Sequence, residues 1–199
     1  SMYPSGIKDN DDYTSIVNQR HYDRLMGYLE DASDKGADVI EINPKGEDFA
    51  QQPHHKIPPH LVLNPTDEMT VMQEEIFGPI LPLITYRSTK DAVDYINAND
   101  RPLGLYYFGE DAKERDMVLN NTTSGGVTVN DVMFHIGQED LPFGGVGPSG
   151  MGAYHGEYGF REFSHAKAVY TQTGSEILKM IRPPYRETFR KQIAGRIKR

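Results

Sequence analysis

The segment Glu74-Glu75-Ile76-Phe77-Gly78-Pro79 sets two carboxylates beside an aromatic ring and a Gly-Pro turn. An ionised carboxylate accepts two hydroxyl donors at once, as on a ribose, and an adjacent aromatic ring can pack against a flat heterocycle. The same residues also read as a structural turn leading into a strand, and residue types alone leave the two readings level. His54, His55 and His60 invite comparison with a metal site. Zinc, however, needs further ligands at set spacing, and with no cysteine and no H-E-x-x-H helix the three read as a solvated loop, with no metal expected. Gly145-Val146-Gly147-Pro148-Ser149-Gly150 has the form G-x-G-x-x-G. A dinucleotide turn of that form follows a strand and opens a helix. Here Pro142-Phe143-Gly144 precedes and a Gly-Tyr-His loop follows, so the stretch reads as a loop whose backbone approaches a neighbour closely. No G-x-S-x-G is present to form a serine-hydrolase elbow. The 199 residues contain no cysteine, which excludes thiol nucleophiles, thiolate zinc sites and disulfides within them.

These residues need elements to hold them, and the composition allows a core: 37% of residues are hydrophobic and 25% charged. From Asn18, a suitable N-cap, apolar residues Tyr22, Leu25, Met26, Leu29 and Ala32 recur at helical spacing up to a Lys35-Gly36 stop. Val39 to Ile42 and Leu61 to Leu63 read as strands. Ile80 to Tyr86 reads as a third, with Pro82 marking an edge or a bulge. Ser88 opens a helix carrying Ala92, Val93 and Ile96 to about Asn99, and Gly104 to Phe108 is the next strand. Asp111 and Glu114 suggest a capping box for a helix ending at Asn120-Asn121, and Gly126 to Asn130 follows as a strand. This βαβαβ run implies an α/β fold with a mostly parallel sheet flanked by helices. Leu141 to Gly159 is glycine-rich loop, Arg161 to Thr173 reads as an exposed strand, and Ser175 caps a short helix before Pro183-Pro184. Tyr185, Phe189, Ile193 and Ile197 then fall every four residues in a basic helical tail.

Seven Lys or Arg against Glu187 give the chain from Arg182 onward a balance of +6, leaving −14 on the rest of a −8 protein. An acidic body argues against nucleic acid as a partner. No apolar run reaches the ~20 residues of a membrane span and no signal sequence is recognisable, so a cytoplasmic location is expected.

From Glu74 to Ile80 the sequence resembles the aldehyde dehydrogenase superfamily, and three further segments sharpen the match. Ser124 to Asp131, SGGVTVND, resembles that family's strand before the substrate funnel. Leu141 to His165, LPFGGVGPSGMGAYHGEYGFREFSH, resembles the signature loop of the class-three branch, which includes the fatty and coniferyl aldehyde dehydrogenases. Tyr3 to Leu25, YPSGIKDNDDYTSIVNQRHYDRL, is most similar to the coniferyl members. The likeness runs collinearly to about Gln172.

The resemblance implies a cysteine thiolate that adds to the aldehyde, hydride transfer to NAD or NADP, and release of the acid by a glutamate-activated water. By motif position Glu75 would hold the nicotinamide ribose and Phe77 would pack beside the nicotinamide. Met133, Ile136, Phe143 and His155 would line the aldehyde's access funnel. Residues 1–160 would then belong to the catalytic domain, 161–174 to an oligomerisation strand supporting a homodimer, and 175–199 to a helical tail. The family's nucleophile, general base, oxyanion-hole asparagine and Rossmann-type domain correspond to positions upstream of the matched region. The 199 residues are therefore expected to be a C-terminal portion holding no catalytic residue and inactive alone. The alternative is a non-enzymatic interaction module that retains half of the fold.

Overall fold

The computed structural model describes residues 2–172, 174 and 182–197. Its first helix forms where the sequence supplies a cap, a stripe and a stop. Asn18 Oδ1 accepts the His21 N–H at 3.0 Å, α1 runs Gln19–Asp34, and Gly36 at φ 89° carries the chain out in a conformation that glycine adopts without strain. The buried face of α1 is Leu25, Tyr28, Leu29 and Ala32, spaced i, i+3, i+4, i+7. Met26, expected in this stripe, is exposed, because one residue's rotation turns it away; Tyr28 takes the inward position instead.

That face packs into a cluster with Ala37, Ile57, Val62, Met69, Val71 and Ile80. Burying each large aliphatic side chain there contributes about 1.5–3 kcal/mol. The strands beneath are β1 (Asp38–Glu41), β2 (His60–Leu63) and β3 (Ile80–Leu83), in the order β1-β2-β3. β1 pairs antiparallel with β2, and β3 pairs parallel with it, setting Pro82 opposite Val62. β3 lies at the sheet's edge, where a residue without an N–H is tolerated. Its ladder ends at Leu83, three residues short of the expected Tyr86.

A single turn of helix, α2 (Thr70–Gln73), precedes β3. α3 (Thr89–Ala98) begins at a reciprocal capping box between Ser88 and Asp91, and α4 (Ala112–Asn121) at Asp111, whose carboxylate accepts the Lys113 and Glu114 N–H groups. The two helices are tied by Thr89 Oγ1 donating to Glu114 at 3.0 Å and by Asn97 Nδ2 donating to the Asn121 carbonyl at 2.7 Å. Contacts divide the chain into two units. Ser1–Asn99 with Asp111–Thr122 hold α1 to α4 and β1 to β3; Asp100–Glu110 and Thr123–Arg199 form the other.

In the second unit β4 (Gly104–Tyr107) and β5 (Gly126–Val129) pair in parallel. The βαβαβ run is thus correct in element order and in its α/β class, but its expectation of one continuous sheet is not met. β3 forms its ladder with β2, and β4 with β5, so the run is shared between two small sheets. Chain order leaves strand pairing open, since a ladder depends on which backbone groups meet in space.

The glycine loop closes on itself through bridges between Phe143 and Tyr154 and between Gly147 and Gly150. A Cβ on Gly144 would collide with the Gly152 carbonyl oxygen, and one on Gly145 with that of Ser149, so the backbone approach read from the sequence is made by the loop to itself. α5 (Gly156–Glu162) follows, with Arg161 bonded to Glu157 one turn back. Arg161 and Glu162 are therefore helical where a strand was expected, and residues 165–172 have no ladder partner among the described residues. The helix expected from Ser175 falls outside the described residues. α6 (Glu187–Ile197) is helical and wholly unburied, with Tyr185 and Phe189 stacked at 4.6 Å. No helix among the described residues is long and apolar enough to cross a membrane.

Two carboxylates tie distant segments of the first unit together. Glu47 accepts the Ile7 and Lys8 N–H groups at 2.8 and 3.0 Å, and the bond from Ile7 leads the causes holding its carboxyl below the usual range. Asp31 is lowered first by its bond with Lys35, then by the Thr70 N–H. A lowered folded value gives stability that is complete above the ordinary carboxylate range and lost as pH falls through the lowered value. The urea midpoint of the protein is expected to fall as pH drops below about 4, and Glu47→Gln and Asp31→Asn are expected to be weaker at neutral pH with a flatter acid limb. Equilibrium unfolding followed by circular dichroism across this range checks it.

Candidate functional site

Between α2 and β3 the residues 74–79 have no regular hydrogen bonding of their own, so side chains on α1 hold them. Arg24 Nη1 donates to the Glu75 carbonyl at 3.0 Å and Nη2 to the Ile76 carbonyl at 2.8 Å. The same Nη1 donates to the Tyr28 hydroxyl at 2.6 Å, while the guanidinium carbon sits 5.1 Å from that ring's centre. Tyr28 in turn donates to Glu74 Oε2 at 2.6 Å. Burial first, and the Glu74 bond second, push the Tyr28 phenol above its ordinary value against the opposing Arg24 charge, so it stays a donor through neutral pH.

Gly78 seals the arrangement from beneath. A Cβ there would lie 2.5 Å from Leu25 Cδ1, and Leu25 is fully buried in the core, so only glycine lets the turn rest on it.

The consequence is that neighbouring residues face different fates. Glu74 is engaged by Tyr28, whereas the Glu75 side chain is exposed and makes no hydrogen bond among the described residues. Phe77 has φ 50°, an uncommon conformation for an aromatic residue, and its side chain is 84% exposed. Strain of this kind is retained where surrounding structure imposes it, and here Arg24 and the Gly78–Leu25 contact do so.

A cavity of about 930 Å³ adjoins the loop, lined by Tyr13, Ile16, Val17, His21, Glu75 and Phe77 among others. The chain from Tyr3 to Val17 that forms part of this lining is fixed by remote bonds. Tyr13 donates to the Ile57 carbonyl at 2.6 Å, Ile16 N–H to the His55 carbonyl at 2.8 Å, and the buried Lys56 ammonium to the carbonyls of Ile7 and Asn10. Burial, with a smaller contribution from Tyr3, pushes the Tyr13 phenol up to about 12. Of the three histidines read as a solvated loop, His54 is exposed and His55 bonds Gln19, but His60 is instead the buried first residue of β2, its Nδ1 2.6 Å from the Pro58 carbonyl.

The other four candidates lie in the second unit. Phe143 and His155 stack at 6.1 Å with ring planes 23° apart, Tyr154 packing edge-on to both. Met133 and Ile136 belong to one turn, closed by the Ile136 N–H on the Met133 carbonyl at 2.9 Å, with Met133 at φ 63° and exposed. The structure thus brings Phe143 and His155 together and places Met133 and Ile136 on a shared turn. Two residues that hold the 74–79 loop escaped the sequence reading, Arg24 and Tyr28, and both carried a signal in their i, i+4 spacing on α1.

Residues 4–169 match the aldehyde dehydrogenase family. A probable coniferyl aldehyde dehydrogenase of Caulobacter vibrioides is 64% identical over 201 aligned residues, covering 100% of this chain and 41% of its own length. A coniferyl aldehyde dehydrogenase of a Pseudomonas species is 58% identical over 189 residues, covering 94% of this chain and 39% of its own. The substrate-bound AldH of Staphylococcus aureus superposes with a TM-score of 0.75 at 36% identity, across 97% of this chain and 40% of that one. The chain spans about two fifths of the length of the curated relatives it matches. With the match extending over residues 4–169 and identity reaching 64%, the chain belongs to the aldehyde dehydrogenase family.

Proposed function

We propose that this chain supplies the cofactor-positioning carboxylate and the aldehyde-lining surface of an NAD(P)-dependent aldehyde dehydrogenase that converts an aromatic aldehyde of the coniferyl type to its acid. The observation that carries this reading is Glu75: an exposed carboxylate without a hydrogen bond among the described residues, on a loop whose backbone is clamped by Arg24. The residues fit the cofactor. Both oxygens of Glu75 remain able to accept a ribose diol, and the outward Phe77 ring offers a face for a planar heterocycle beside a cavity of about 930 Å³. When bound, NAD or NADP accepts the hydride lost by the substrate carbon.

The chain's own residues act by placement. Glu75 would fix the ribose through charge-assisted bonds, and Phe77 would limit the tilt of the attached ring. Met133, Ile136, Phe143 and His155 would line the substrate's path, with the stacked Phe143 and His155 suited to an aryl group. The names of the relatives at 64% and 58% identity support the coniferyl class. Residues 165–172 carry Val169 and Tyr170 at 78% and 77% exposure with unpaired backbone, which suits pairing with a second copy in a homodimer. No side chain here provides a thiolate, and a serine hydroxyl is scarcely ionised near neutral pH, so the covalent step belongs to a residue outside these 199.

The purified 199-residue chain is expected to produce no NAD(P)H from aldehyde and cofactor; sustained turnover would show that it carries a nucleophile of its own. In a catalytically complete enzyme containing this chain, Glu75→Gln is expected to slow hydride transfer roughly ten- to hundredfold by loss of the charge-assisted acceptor. Stopped-flow absorbance and cofactor titration measure this, and an unaltered rate with unaltered cofactor affinity removes Glu75 from the site.

A further inference from the structure

Between Asp131 and Pro142 every side chain but two is exposed; Ile136 is half-buried, and His135 alone is buried, at 6% exposure. A loop of this kind has its position set chiefly by its buried anchor, since exposed residues contribute little to holding it; its far end is also tied by His155 Nδ1, 3.2 Å from the Leu141 carbonyl. His135 is attached twice to one hydroxyl on β5. Its backbone N–H donates to Thr128 Oγ1 at 3.2 Å, and its ring Nδ1 lies 2.7 Å from the same oxygen. One hydroxyl provides one donor and two acceptor sites, so Thr128 can serve both groups at once.

The ring also rests on a floor without side chains. Gly104 and Gly126 are register partners across β4 and β5. A Cβ on Gly126 would come within 2.8 Å of His135 Nε2 and closer still to Cδ2; one on Gly104 would meet Cε1 at 3.6 Å. Gly126 therefore leaves the space that the imidazole fills, whereas a Cβ on its partner Gly104 would make only ordinary contact with the ring. Tyr106 and Phe143 flank it with ring centres at 6.1 and 6.3 Å. Nε2 is buried and has no hydrogen-bond partner among the described residues, so the ring is held by shape and by its Nδ1 side.

We propose that His135 is the positioning residue of the aldehyde-lining loop: bonded to Thr128 and seated on Gly104 and Gly126, it fixes where Met133, Ile136 and Phe143 are presented. Met133 and Ile136 are two residues before and one after it on a closed turn, and Phe143 packs on its ring, so a displaced imidazole moves all three. The inference rests on the reading of those residues as substrate-lining, and two separate measurements keep the two claims apart.

The first uses the 199-residue chain, following amide exchange over residues 131–143 by mass spectrometry. His135→Ala is expected to speed exchange there about tenfold or more, with β4 and β5 unchanged, and Thr128→Val to do so more weakly. Gly126→Ala, which leaves His135 in the chain but takes its space, is expected to behave like His135→Ala. His135→Asn, which can reproduce the Nδ1 bond to Thr128, is expected to restore part of the protection. The second measurement uses a catalytically complete enzyme containing this chain. There His135→Ala is expected to raise KM for an aromatic aldehyde about tenfold, with kcat within about threefold and a smaller change for acetaldehyde.

Unchanged exchange over 131–143 in His135→Ala overturns the proposal. So does faster exchange throughout the second unit without rescue by Asn, which would mark a general packing role. Faster local exchange with KM unchanged for every aldehyde retains the anchor but overturns its bearing on substrate. If the unaltered complete enzyme oxidises no aldehyde, the functional reading fails while the exchange result still decides whether His135 holds the loop.

Discussion

One guanidinium connects the best-formed element of the chain to its most chemical segment. Arg24 leaves α1 one residue before Leu25, which is fully buried, and reaches two successive carbonyls of the 74–79 loop. Without those bonds the loop would be held at its ends, by Tyr28 on Glu74 and by the His60 N–H on the Pro79 carbonyl, with only Gly78 on Leu25 between them. With them, the register of α1 against β2 and β3 is transmitted directly into the direction of Glu75 and Phe77. A lysine in its place would present a point charge rather than a fork, and would not hold two neighbouring carbonyls while lying over an aromatic ring.

The second unit reaches the same end by the opposite means. Its loop is held by an imidazole fitted into space that Gly126 leaves empty, and its aromatic cluster of Tyr106, His135, Phe143, Tyr154 and His155 is assembled from three distant stretches. Helix geometry does the positioning in one unit, and absent side chains do it in the other. Both leave the candidate residues open to solvent, Glu75, Phe77 and Met133 exposed and Ile136, Phe143 and His155 half-buried, the usual division between a rigid scaffold and the loops it displays.

Local signals made several elements legible in the sequence. Asn18, the apolar stripe and Lys35-Gly36 bounded α1 closely; Ser88 marked α3 and Asp111 marked α4, because a cap is a short-range contact between residues within one turn. Sheet organisation was not legible, since β2 pairs with β3 across the intervening α2 and loop, and nothing in Leu61 or Leu81 names its partner. The strand expected from Arg161 has no ladder among the described residues for a related reason. Val169 and Tyr170 have β-forming side chains, but a strand exists only as half of a ladder. At the site, Glu75 and Phe77 stood out by residue type. His135 did not, because its significance lies in Gly104 and Gly126, far from it in sequence and informative only once they face each other.

The contrast between Glu74 and Glu75 bears most directly on what kind of chemistry the chain performs. Both are carboxylates on the same loop, yet Tyr28 occupies one, and the other makes no hydrogen bond among the described residues. A structural turn would gain from engaging both, or from replacing the second by a residue with less charge to keep hydrated. Holding the backbone of Glu75 firmly while leaving its side chain unbonded is instead the arrangement of a preformed acceptor, which loses little freedom when a donor arrives. With no group in these 199 residues able to ionise as a thiolate, the acceptor proposed at Glu75 would serve binding and orientation rather than bond making, and on that proposal the chain contributes geometry.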